Sequence, residues 1–92
     1  MDLSEAAREL LLEAARDPAG LILTLTGKGG SAYLKTNRRT FGDGTPGEQA
    51  RWESGIRQLV GFGLIKPQGV TRQVFCITDE GYQTADILRG RK

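Results

Sequence analysis

The stretch "TGKGGSAYLKT", residues 26–36, places Lys28 in a glycine-rich turn directly after the apolar run "LILTLT". Such turns hold phosphates when backbone N–H groups and a following helix N-terminus converge on the ligand. Here the spacing G-x-x-x-x-G-K-[ST] fails. Ile22 stands where the first glycine belongs, and Gly29 follows Lys28 where a Ser or Thr hydroxyl would hold magnesium. "SAYLKT" alternates and has no helical spacing, so no helix would point at a nucleotide. The stretch reads as a tight hairpin turn, with no nucleotide.

Other catalytic chemistry is equally thin. The chain has no histidine, which removes the commonest general base and the commonest metal ligand together. Its one cysteine, Cys76, cannot build a Cys/His zinc site or an internal disulfide. Cys76 alternates with Phe75 and Ile77, the pattern of a buried, inert thiol. No paired carboxylates suggest acid–base work. The expectation is no enzyme, no metal and no cofactor. A single thiol fits a reducing, cytoplasmic setting. No apolar run approaches the roughly 18–20 residues that span a bilayer, and the acidic, helix-like "MDLSEAAREL" is no signal peptide. No membrane association is expected.

What remains is charge. The net charge is +2 over 92 residues, unevenly spread. Residues 1–19 carry Asp2, Glu5, Glu9, Glu13 and Asp17 against Arg8 and Arg16, a net of −3. Residues 20–78 carry Lys28, Lys35, Arg38, Arg39, Arg51, Arg57, Lys66 and Arg72 against Asp43, Glu48 and Glu53, a net of +5. A basic middle of this kind attracts nucleic acid.

The elements that must position these side chains follow from periodicity. The length fits one domain over 1–92, whole or a module of a larger protein. Leu3, Ala7, Leu10, Leu11 and Ala14 recur at helical spacing over 3–16, with Asp2 as cap, Glu5 as capping-box partner, and Pro18 and Gly20 ending the helix. "LILTLT" alternates, Leu21, Leu23 and Leu25 against Ile22, Thr24 and Thr26, a strand with one drier face. "SAYLKT" is a second strand, and "NRRTFGDGTP", 37–46, is irregular, anchored by Phe41. "TPGE", 45–48, places Thr45 at an N-cap, Pro46 at the first helical position and Glu48 at the third. That helix runs to about Phe62 with Trp52, Ile56, Leu59 and Val60 inward, and Gly63 follows its end. "LIKP" and "QVFCIT" form a hairpin. Thr78 caps a last helix with Tyr82, Ala85 and Leu88 inward.

Two segments carry a family likeness. "GIRQLVGFGLIKP", 55–67, resembles the end of a recognition helix passing through a glycine into the first wing strand. "VFCITDEGYQTADIL", 74–88, resembles the second wing strand, threonine cap and glycine-containing closing helix. Together they cover about a third of the chain, and in this order they resemble the winged helix-turn-helix domain of bacterial regulators. The resemblance implies an α+β winged helix: three helices, a small antiparallel sheet and a wing hairpin. One departure stands out. Residues 31–44 hold two glycines and no apolar period, so the short helix that braces the recognition helix is degenerate or missing.

The resemblance also implies a DNA-binding, transcription-regulating role on double-stranded DNA. The outward side of the 46–62 helix would present Arg51, Ser54, Arg57 and Gln58 to the groove. Lys35, Arg38, Arg39, Lys66 and Arg72 would contact phosphates, and a homodimer would read a palindrome. The alternative is a non-enzymatic protein–protein interaction module of a larger bacterial assembly, since one fold serves both ends. The discriminator is geometric. DNA binding requires basic residues from three separate segments on one surface.

Overall fold

The structure, a computed structural model, describes residues 3–26, 32–42, 46–69 and 73–90. The elements run α1 (Glu5–Arg16), β1 (Leu21–Thr26), β2 (Ala32–Thr36), β3 (Arg39–Phe41), α2 (Pro46–Gly61), β4 (Ile65–Pro67), β5 (Val74–Ile77) and α3 (Asp79–Leu88). All strand pairs are antiparallel, in the order β3-β2-β1-β5-β4, which makes β1 the central strand. The result is an α+β domain with its helices gathered on one face of a five-stranded sheet.

The α1 period holds: Ala7, Leu10, Leu11 and Ala14 are buried. Ser4 is the N-cap, its hydroxyl accepting the Ala7 N–H at 3.1 Å. Asp2, expected as the cap, lies outside the described residues. With Ser4 in that role Glu5 becomes the first helical residue, and no capping box forms. The Ser4 N–H instead donates to Gln58 Oε1 at 2.8 Å, tying the start of α1 to α2. After α1, Asp17 Oδ2 accepts the N–H groups of Ala19 and Leu21, which turns the chain into β1.

The segment expected to be irregular contains a third strand. β2 and β3 pair across Thr36 and Arg39, and the two residues between, Asn37 and Arg38, have φ of 50° and 67°. Positive φ at both central positions marks a two-residue type I′ hairpin turn. Arg38 stands where that turn favours glycine.

On α2, Trp52, Ile56 and Leu59 are buried as the stripe predicts, but Val60 is exposed. Gly55 takes the inward place instead. A Cβ there would lie only 3.1 Å from the Ala7 backbone nitrogen, so glycine lets the two helices approach closely. The proposed cap Thr45 lies outside the described residues. At the other end the chain turns through Gly63, φ 73°, whose N–H reaches the Val60 carbonyl at 3.0 Å. The Leu64 N–H reaches the Leu59 carbonyl at 2.9 Å, completing a Schellman motif in which both leucines are buried in the core.

The last helix begins as expected. Thr78 Oγ1 accepts the Gly81 N–H at 3.1 Å and donates to the Gly63 carbonyl at 2.7 Å. The Thr78 N–H meets the Leu64 carbonyl at 3.0 Å. Gly81 lies so close to that carbonyl that no side chain fits. Ala85 is fully buried, whereas Tyr82, expected inward, is 41% exposed and lies across Gly20.

Pairing decides which side of β1 meets the helices. Residues directly opposite each other share a sheet face. Ile22 with Phe75, Thr24 with Leu34, and Ile65 with Ile77 lie on the helix side. Leu21 with Cys76, and Leu23 with Lys35 and Val74, lie on the other. Ile22 is fully buried, while Leu21, Leu23 and Leu25 are only half-buried. Ile22→Ala is therefore expected to cost about 2–5 kcal/mol in urea unfolding, and Leu23→Ala no more than about 1 kcal/mol. Equal losses would mean the far face is also core.

Candidate functional site

The basic residues singled out in the sequence fall into three groups. The first lies along α2. Arg57 has an 81% exposed side chain beside exposed Ser54 and Ala50, and its nearest carboxylate is Glu53 at 3.9 Å. Arg51 sits on the flank toward α1, its guanidinium 4.9 Å from the Trp52 ring and 3.7 Å from Glu48. Gln58 is not on the outward face. Its side-chain carbonyl accepts the Ser4 N–H, so it serves the α1–α2 seam.

The second group is the β2–β3 hairpin. Arg38 is exposed at the turn. Arg39 is engaged: Nη1 donates to Glu13 Oε2 at 2.8 Å, Nη2 to Glu9 Oε1 at 3.3 Å, and the guanidinium lies 4.8 Å over Phe41. Phe41 in turn packs 4.8 Å from Trp52, centroid to centroid. Arg39, Phe41, Trp52 and Arg51 thus form one cation–aromatic stack, with Glu9 and Glu13 at one end and Glu48 at the other. Three carboxylates offset the guanidiniums of Arg39, Arg51 and nearby Arg16, so this surface carries no cationic excess.

The third group points the opposite way. Lys35 is exposed on the far face of the sheet, opposite Leu23 and Thr40, and Lys66 is exposed opposite Cys76. Arg72, proposed at the wing tip, and Lys28, in the glycine turn, lie outside the described residues. So the structure brings Arg39 and Arg51 together, leaves Ser54 exposed on α2, sets Arg57 at the solvent edge of α2 that borders the sheet, and separates Lys35 and Lys66 from these.

Glu13, counted among the acidic charges of the first segment, is the buried anchor of the second group. It receives Asn37 Nδ2 at 2.8 Å as well as Arg39. Burial alone would raise its carboxyl, but the hydrogen bonds from Asn37 and Arg39 and the positive charges of Arg39 and Arg16 outweigh this and hold its pKa below the ordinary 4.5. Its spacing gave a signal: Glu13 follows Ala6 by seven residues and Leu10 by three, so it belongs to the buried face of α1.

Cys76 is half-buried on the far face of the sheet, not enclosed as expected. Between α2 and the sheet a shallow groove of about 520 Å³ is lined by Ile56, Arg57, Val60, Pro67 and Phe75. Its walls are mainly apolar. Among the described residues no group of three or more His, Cys, Asp or Glu side chains is placed to hold a metal, and no helix is long and apolar enough to cross a membrane.

No protein-family model matches the chain, and no curated sequence or solved structure matches it. Its chemistry rests on these residues alone.

Two outcomes follow. A carboxylate with a lowered folded-state pKa stabilises the fold above its ordinary value, and that contribution is lost as pH falls through the lowered one. Glu13→Gln should therefore be less stable than the parent at neutral pH, with the gap in urea titrations closing as pH falls below the ordinary carboxylate value of 4.5. A pH-independent gap would assign the effect to packing. Separately, Arg38→Gly should raise stability by about 0.5–1 kcal/mol, because the left-handed backbone costs arginine more than glycine. Loss of stability would mean that the Arg38 side chain holds the turn.

Proposed function

We propose that the chain is a non-enzymatic interaction module, built on a winged-helix plan, that recognises a protein partner. The observation that carries this reading is the division of the basic residues. A duplex-binding surface needs them together. Here Lys35 and Lys66 face away from α2, and Arg39 and Arg51 are held among Glu9, Glu13 and Glu48. The likeness to winged helices is supported by the element order, in which a helix passes through Gly63 into a hairpin and Thr78 caps a closing helix. In place of the bracing helix stand β2 and β3, whose Phe41 and Arg39 pack against α2 and α1. This substitution fixes α2 firmly but alters the surface that would meet a backbone.

One observation favours the DNA reading. Arg57 stands almost fully exposed at the edge of α2, one turn from Ser54 and Gly61, and Arg38 is exposed at the hairpin turn. Arginine among small residues suits close approach to a groove. The two readings separate in fluorescence anisotropy with a labelled random duplex at several salt concentrations. The interaction reading expects affinity weaker than about 10⁻⁴ M at physiological salt and a shallow salt slope. Micromolar binding that falls steeply with salt, and is lost in Arg57→Ala and Arg38→Ala, would overturn it.

A further inference from the structure

We propose, resting on the interaction reading, that the uncovered face of the sheet docks an amphipathic helix of a partner protein whose apolar stripe is flanked on both sides by carboxylates. The helices and the core lie on the other side of the sheet. On this side the register aligns Leu21, Leu23 and Leu25 on β1 with Val74 and Cys76 on β5, and Tyr33 stands beside Leu25 on β2. All six side chains are half-buried, shielded by one another and by no helix. An apolar stripe at the centre of a sheet, with no covering layer among the described residues, leaves hydrophobic area that a partner can remove from water.

Charge selects the partner. Lys35 bounds the stripe on β2 and Lys66 bounds it on β4, both exposed. With strands about 4.8 Å apart, the two lysines stand roughly 15 Å from each other across the stripe. A helix about 10 Å wide fits between them, and the three leucines of β1 span about two and a half of its turns. Carboxylates on either flank of that helix would meet one lysine each. Among the described residues no Asp or Glu occupies this face; Glu5, Glu9, Asp79 and Glu80 lie on the helices of the opposite side.

The same charge pattern disfavours a second copy. A two-fold pairing of identical faces would bring lysines only toward lysines and apolar groups. The acidic α1 of another copy could not insert either, because its apolar stripe is already buried in its own core.

The chain's single cysteine reports occupancy, because Cys76 sits inside the stripe. The experiment uses a helical peptide of about 18 residues with a leucine stripe and glutamates on both flanks, and a counterpart with lysines in their place. Modification of the Cys76 thiol by a maleimide is followed with each peptide, alongside anisotropy of the labelled peptides. The glutamate peptide should bind and slow Cys76 modification about tenfold or more, and the double variant Lys35→Glu/Lys66→Glu should transfer that protection to the lysine peptide. Both substitutions are at exposed positions, and an unchanged thermal transition confirms the variant's fold.

Equal protection by both peptides, binding without protection, or no binding would overturn the proposal. So would protection by phosphatidylserine vesicles in place of the peptide, which would assign the face to a membrane, or protection that rises with protein concentration alone, which would assign it to a dimer. Failure of the peptide with no duplex binding removes this face and leaves the interaction reading standing. Steep, salt-sensitive duplex binding removes the interaction reading itself.

Discussion

The phase of β1 governs this molecule. As the central strand it pairs with β2 on one side and β5 on the other, so its alternation is imposed on the whole sheet. With Ile22 turned toward the helices, Leu34, Phe75, Ile65 and Ile77 follow to that side. Thr36 follows too, and its hydroxyl donates to the Leu21 carbonyl at 2.7 Å from a buried position. A slip of one residue would exchange the faces and bury Lys35. A chain of this length forms one core, and all three helices are committed to it. Among the described residues the leucines on the other side are left without a layer.

The same constraint distributes the charges. Because β2 and β3 fold back as a hairpin beside α1, Arg39 arrives at Glu9 and Glu13, and Phe41 arrives at Trp52. The stack from Arg39 to Arg51 then joins β3, α2 and α1 in a single contact. Residues that look like a cationic patch in one dimension are, in three, the polar seam between a hairpin and two helices. Charge counted along a segment measures attraction only when the partners of each charge are known.

Much of the fold was legible in the sequence. The periods of α1 and α2, the alternation of β1, and the signals at Gly63 and Thr78 all name local structure with a local cause. β3 was hidden because its turn, Asn37-Arg38, lacks the glycine that usually announces a type I′ hairpin. Glu13 was hidden by its charge, since only the arrival of Asn37 and Arg39 from a distant hairpin makes its burial tolerable. Gln58 has an angular position near the outer side of α2, and its role depends on where the first residues of α1 lie. Each of these depends on contacts remote in sequence, and so did the site residues. Their identities were readable, but not which surface each would reach.

The junction at Leu64 and Thr78 has a consequence of its own. Gly63 and Leu64 at the end of α2 are hydrogen-bonded to Thr78 at the start of α3, so the β4–β5 hairpin leaves the core and returns to it at one clamped point. Its base is held by the helices whatever its length. Residues inserted between the two strands would lengthen a loop whose ends are already joined, at about 0.6 kcal/mol for each doubling. The hairpin is thus a place where this domain can accept foreign sequence, and where related chains could diverge in length without disturbing the helices beneath.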